Sequence, residues 1–112
     1  MTFEYVILPE HRCIAIRYTG TITLPDVIAS TKELWADPLY DKTYNGITDL
    51  SRATAGGSVE EIAPLVDFYK HPETSTGRWA VIFTEPKFTA LGLLFKSSSY
   101  AKPWIELFTS WE

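Results

Sequence analysis

Two stretches near the start of the chain alternate between apolar and polar side chains, which is the pattern of a half-buried β-strand. The apolar members of each stretch share one side: Phe3, Tyr5 and Ile7, then Ile14, Ile16 and Tyr18. The segment PEHR between them has the composition of a turn. The pattern therefore predicts an opening antiparallel hairpin over 3–8 and 13–18.

After Gly20 the apolar period changes to that of an amphipathic helix. The residues on the apolar face are Leu24, Val27, Ile28, Thr31, Leu34 and Trp35. Thr23 can cap this helix, and Asp37-Pro38 should end it. A second helix is predicted from Ser58 to Tyr69, with a bend at Pro64 because proline removes a backbone hydrogen bond.

The remaining apolar runs complete an alternation of strands and helices. We predict a short strand over 44–50, a doubly covered strand in GRWAVIFT at the centre of the sheet, a third helix from Phe88, and a last strand over 104–108. The element order is then ββαβαβαβ. It predicts an α/β fold with a mixed five-stranded sheet and flanking helices, antiparallel in the first pair and parallel elsewhere.

Composition narrows the class of protein. The chain has 112 residues, of which 46% are hydrophobic, so we expect one folded domain over 1–112. The net charge is -4 and the basic residues are scattered, which argues against a nucleic-acid partner. The single cysteine, Cys13, excludes an internal disulfide. Without a leader-like start or a long apolar run, we expect a cytoplasmic protein that does not insert into membranes.

The segment from Asp49 to Ile62, DLSRATAGGSVEEI, is the main candidate for a functional site. Ser58 and Glu61 have capping-box spacing, and Gly56-Gly57 before them allow close approach of the backbone. Ser58 is therefore either a helix cap or an anion or phosphoryl site at a helix N-terminus. The residues proposed to bind a partner or an anion are Asp49, Ser51, Thr54, Gly56, Gly57 and Ser58.

Other chemistry has less support in the sequence. His11 and His71 lie in predicted turns without metal-ligand spacing, so we expect neither a metal nor a cofactor. A hydrolase with Ser58 as nucleophile would need one of these histidines beside it, and no nucleophile motif is present. We therefore expect a protein that is not an enzyme.

The third predicted helix, FTALGLLF, is broadly apolar, and its outward residues include Phe88, Leu91 and Phe95. Such a surface is covered by a second copy, by a further helix, or by an apolar ligand. We expect a homodimer first. The capping-box spacing of Thr109 and Glu112 at the chain end arises either by chance or because the domain lacks a C-terminal helix.

Four stretches carry a resemblance to a known family: RYTGTITLPDVIASTKELWADPLYDKTYNGITDLSRA, SVEEI, RWAVIF and IELFTSWE. With this order of elements the chain resembles the SpoIIAA-like family, STAS-type domains related to bacterial anti-sigma-factor antagonists and, more widely, to lipid-binding CRAL-TRIO (SEC14) domains. The resemblance implies a small bacterial cytosolic protein of a kind that usually has no known enzymatic role.

In such antagonists a strand ending in DLS leads to a serine that a partner kinase phosphorylates, and Ser58 occupies the similar position. The chain has Gly56-Gly57-Ser58-Val59 where the typical antagonist has Asp-Ser-Ser-Gly. The resemblance therefore implies a STAS-type regulatory or protein-interaction domain, switched at the Ser58 loop. The alternative is a carrier of a small molecule or lipid, with an apolar pocket beside the third helix.

Overall fold

The chain begins with the predicted hairpin. In the computed structural model, strand β1, Thr2–Leu8, pairs antiparallel with β2, Cys13–Ile22, across a 3-10 turn at Pro9–His11. Arg12 closes the turn in the left-handed region, with φ 50°. The structure describes residues 1–56, 62–68, 70–86 and 105–108.

Helix α1, Leu24–Trp35, confirms the helix predicted from the apolar period. The backbone N–H and the hydroxyl of Thr23 both donate to Asp26 Oδ2, each at 2.9 Å. These bonds hold the start of the helix and lower the pKa of Asp26. Beyond the helix, Asp37 Oδ1 accepts the Leu39 N–H at 2.9 Å and directs the chain away from the helix axis.

The remaining described elements are β3, Asn45–Ala55; α2, Ile62–Phe68; β4, Trp79–Phe83; and β5, Ile105–Phe108. The strands lie in the order β1-β2-β3-β4-β5, and every pair after the first is parallel. The prediction of an α/β fold with a mixed sheet is confirmed. The third predicted helix lies outside the described residues, so the full ββαβαβαβ order stays a prediction.

Two predictions about the sheet are wrong. β4 is an interior strand, but the centre of the sheet is β3. β3 also continues through Ser51–Ala55, which was expected to be a loop, because β2 itself extends to Ile22 and offers a partner. The pairing of β2 with β3 shifts register between Arg17 and Thr19. Gly20, which follows this shift, has a positive φ of 87°.

The main core lies between the hairpin strands, β3 and α1. Its buried side chains are Ile7, Ile14, Ile16, Tyr18, Ile22, Leu34 and Ala53. The Tyr18 hydroxyl reaches the buried Ser30 hydroxyl at 2.6 Å, which satisfies both groups inside this core.

Both described helices lie on the same face of the sheet. α1 packs against the main core, and the Trp35 ring near its end stacks on Phe68 of α2 at a centroid distance of 5.2 Å. The general rule that parallel strands are joined by right-handed crossovers predicts this arrangement, because the strand order progresses in one direction. On the other face, Val6 is 49% exposed and Phe108 46%. Within the described residues, neither helix has the combination of length and apolar character needed to cross a membrane.

Candidate functional site

Asp49 lies in the middle of β3, on the sheet face opposite the main core, and is only 5% exposed. The Ser51 N–H and hydroxyl donate to its Oδ1 at 2.9 and 2.6 Å. Arg17 Nε on the neighbouring strand lies 3.4 Å from its Oδ2. Burial raises the pKa of Asp49, but the Ser51 hydrogen bonds and the Arg17 charge outweigh burial and lower the pKa below its usual range.

The structure gives Asp49 and Ser51 positions that differ from those expected from the sequence. The strand predicted over 44–50 put Asp49 near its end and left Ser51 beyond it, whereas the structure places both within β3. The Ser51 hydroxyl donates a hydrogen bond to Asp49, and the Ser51 carbonyl accepts a hydrogen bond from the Thr84 hydroxyl at 3.1 Å. The pair therefore joins β3 to β2 and to the end of β4.

Thr54 belongs to a different group, on the exposed surface of β2 and β3. Thr19 pairs with Arg52 and Thr21 with Thr54 in the parallel register, and all four side chains are exposed. The two hydroxyls of Thr21 and Thr54 lie 3.0 Å apart. We call Thr19, Thr21, Arg52 and Thr54 the threonine surface. It presents hydroxyls and one guanidinium on rigid strands.

The end of β3 is held from both sides. The Gly56 N–H donates to the Ile22 carbonyl at 2.7 Å, and the Ala55 N–H donates to Glu85 Oε2 at 2.7 Å. A Cβ at Gly56 would lie 2.8 Å from Thr21 Cγ2 and 3.1 Å from the Ile22 carbonyl oxygen, so a larger residue here would displace the Thr21 side chain. The chain therefore leaves the sheet from a fixed point beside the threonine surface.

Sequence reasoning missed Glu85, as it missed Thr19, Thr21 and Arg52 of the threonine surface. Glu85 follows β4 and precedes Pro86, and nothing in its local pattern marks it. The parallel order of β3 and β4 brings their carboxyl ends to one edge, and this order is the signal that could have pointed to it.

The structure describes only the first part of the segment that was predicted to act as a switch. Gly56 is in place at the end of β3, whereas Gly57 and Ser58 lie outside the described residues. The helix cap and the anion or phosphoryl site at Ser58 therefore stay predictions. Phe88, Leu91 and Phe95, predicted to form an apolar pocket or dimer surface, also lie outside the described residues.

The histidines have different surroundings. His11 is exposed in the hairpin turn. His71 stacks on Trp35 at a centroid distance of 4.7 Å, and its Nδ1 accepts the Glu73 N–H at 3.0 Å. His71 thus helps to hold the turn after α2 against α1. Among the described residues, no cluster of three or more His, Cys, Asp or Glu side chains could hold a metal ion.

Comparison with protein-family models, with curated proteins and with solved structures found no match to this chain. The resemblance to the SpoIIAA-like family consequently enters below as a proposal.

Proposed function

We propose that this chain is a non-enzymatic regulatory domain of the SpoIIAA-like, STAS type. In this proposal the five-stranded ββαβαβαβ fold presents the threonine surface and the loop after β3 to a protein partner. Ser58, at the start of the second helix, controls that contact. The proposed protein is bacterial and cytoplasmic and also forms a homodimer.

The observation that carries the proposal is the position of the threonine surface. It lies on the carboxyl halves of β2 and β3, directly before Gly56, from which the chain continues toward Ser58. Because strands fix this surface, little conformational entropy is lost when a partner binds it. Its exposed hydroxyls and Arg52 offer hydrogen-bond donors and acceptors to a protein surface that carries a carboxylate.

The partner contact gives the first prediction. Arg52→Glu reverses the one charge of the threonine surface and should weaken binding of the partner about tenfold or more. The matched control is Glu33→Arg, which reverses an exposed charge on α1. Partners captured from the protein's own host by each variant would be compared by quantitative mass spectrometry. Equal loss of a protein from both variants would contradict a specific role for the threonine surface.

Ser58 gives the second prediction. Ser58→Ala should lower the free energy of unfolding by about 1 kcal/mol, because the first turn of the helix loses its cap. Ser58→Asp should retain that stability, since a carboxylate also caps a helix and interacts favourably with its positive end. Urea denaturation of the three proteins measures the difference. Identical unfolding curves for wild type and Ser58→Ala would mean that Ser58 caps nothing.

The switch itself requires a change in binding as well as stability. If phosphorylation of Ser58 controls the contact, Ser58→Asp should alter capture of the same partner that Arg52→Glu loses, while Ser58→Ala captures it as wild type does. If both Ser58 variants capture every partner unchanged, the loop has only a structural role.

A mass spectrum of the protein from its own host separates the switch from the carrier. One phosphoryl group that survives denaturation and maps to Ser58 supports the switch. An additional mass present under native conditions and lost on denaturation supports a carrier with a pocket lined by Phe88, Leu91 and Phe95.

A further inference from the structure

β1 is an edge strand with little protection against pairing beyond one charged residue, Glu4. It has seven residues, TFEYVIL, without proline, lysine or arginine, and its register with β2 is continuous from Thr2 to Leu8. Natural edge strands commonly carry such residues, or a bulge, to prevent association with other strands. Among the described residues, no strand pairs with the outer side of β1.

The hydrogen bonds of the neighbouring strands show which backbone groups this edge presents. The Asn45 N–H donates to the Arg12 carbonyl, so even-numbered residues at the start of β2 direct their backbone groups toward β3. Odd-numbered residues of β2 therefore bond to β1, and their partners there are even-numbered. The N–H and C=O groups of Phe3, Tyr5 and Ile7 consequently point outward.

The side chains of these three residues point toward the main core. Ile7 is buried, while Phe3 and Tyr5 are only partly buried. Phe3 packs on Tyr5 with ring centroids 5.4 Å apart, and on Tyr18 at 5.1 Å. A row of aromatic rings therefore reaches the edge of the sheet and is incompletely covered there.

From this edge we infer that two copies of the chain pair through β1 in antiparallel orientation, about a two-fold axis at Tyr5. Tyr5 then faces Tyr5 of the partner subunit, and Phe3 faces Ile7 of the partner subunit. All three outward-pointing residues exchange backbone bonds, about six in all. The two sheets become continuous, and the aromatic row of one copy continues into the other.

The charge pattern selects this register. Glu4 is the one charged side chain of β1. Centring the pair on Tyr5 places Glu4 opposite Val6 of the partner subunit, whereas centring it on Glu4 would bring two carboxylates face to face, which is destabilising. Centring on Tyr5 also pairs the full length of β1. Because the strand is complementary to itself in this register, a second copy fits better than an unrelated peptide.

This inference rests on the homodimer of the proposed function but not on its switch, since neither Ser58 nor the threonine surface takes part. It locates the homodimer at β1, whereas the sequence suggested the third helix. If the two copies do not pair through β1, the proposed contact between the threonine surface and a protein partner is unaffected.

Amide hydrogen exchange of the full chain, resolved by residue, tests the pairing directly. In a monomer the amides of Glu4, Val6 and Leu8 are protected by β2, while those of Phe3, Tyr5 and Ile7 exchange quickly. Dimerisation should protect the second set as the protein concentration rises, in step with a doubling of mass by light scattering. The mass of a monomer at all concentrations would overturn the inference, as would protection of Phe3, Tyr5 and Ile7 in the monomer.

Substitutions at Val6 test the register. Val6 is 49% exposed and faces Ala15 within its own chain, so a charged residue there leaves the monomer folded. Val6→Glu places a carboxylate opposite Glu4 of the partner subunit, twice per dimer, and should weaken self-association roughly tenfold. Val6→Lys places an ammonium there and should retain or strengthen it.

The double variant Glu4→Lys with Val6→Glu serves as the reversal control, because each lysine then faces a glutamate of the other copy. Dissociation constants from analytical ultracentrifugation, with thermal unfolding to verify the fold, give the comparison. Recovery of dimerisation in the double variant supports the register centred on Tyr5. Equal dimerisation of Val6→Glu and Val6→Lys would place the dimer contact elsewhere and overturn the inference.

Discussion

Gly77→Ala should destabilise this protein by about 3 kcal/mol, at the upper end of what overpacking costs. A Cβ at this position would overlap the carbonyl oxygen of Tyr44 and lie 2.6 Å from its carbonyl carbon. Both are backbone atoms, so no side-chain rotation relieves the overlap. The segment before β4 would have to move away from the segment before β3.

That movement would break the hydrogen bonds that join the two segments. The Gly46 N–H donates to the Arg78 carbonyl at 2.9 Å, and the Arg78 N–H donates to Asn45 Oδ1 at 2.9 Å. The Thr76 N–H donates to the Lys42 carbonyl at 2.7 Å. These bonds set the starting register of β3 against β4, so their loss should reduce the order of the sheet as well as its stability.

The matched control is Gly20→Ala. Gly20 has the positive φ of 87°, but a Cβ there would meet nothing closer than 3.6 Å. Backbone strain alone should then cost about 1 kcal/mol. Thermal unfolding should show a decrease in Tm of roughly 10–15 °C for Gly77→Ala and about a third of that for Gly20→Ala. Equal decreases would mean that the segment around Gly77 moves at little cost.

The sequence predicted those elements whose signal is local. α1 could be placed from Leu24 to Trp35 because its apolar period, its cap at Thr23 and its end at Asp37 all lie within the segment itself. The hairpin was predictable for the same reason, since alternation and a turn are adjacent in sequence.

The extension of β3 could not be predicted in this way. Residues 51–55, SRATA, have small or polar side chains and little strand propensity of their own. They form a strand because β2 continues past Gly20 and pairs with them after a register shift. The misplacement of Asp49 and Ser51 in the candidate site follows from this single non-local cause. The close approach of Gly77 to Tyr44 is equally invisible in sequence, because the two residues meet only when β3 and β4 are adjacent.

Asp49→Ala should lower the free energy of unfolding by about 2–3 kcal/mol. Asp49 is 5% exposed and accepts two hydrogen bonds from Ser51, so its removal leaves the Ser51 N–H and hydroxyl without their acceptor. Arg17 contributes less to the cost, because its side chain is 49% exposed and water can replace the lost ion pair. Asp49→Asn should cost about 1 kcal/mol, since an amide oxygen can still accept from Ser51 while its NH₂ faces Arg17.

The pH dependence distinguishes this network from a simple loss of packing. Because folding lowers the pKa of Asp49, its ionised form stabilises the fold above the unfolded-state pKa of about 4. That stabilisation is lost as the pH falls through the lower folded-state pKa. The stability advantage of wild type over Asp49→Asn should therefore be constant near neutral pH and shrink progressively below about pH 4.

Urea denaturation of wild type and Asp49→Asn across this range measures the difference. Asp26, Asp37 and Asp41 also have lowered pKa values, but they are present in both proteins and cancel in the comparison. A pH-independent difference would mean that the charge of Asp49 contributes nothing and that only its shape matters. A shrinking difference would show that the ionised carboxylate of Asp49 stabilises the sheet that presents the threonine surface.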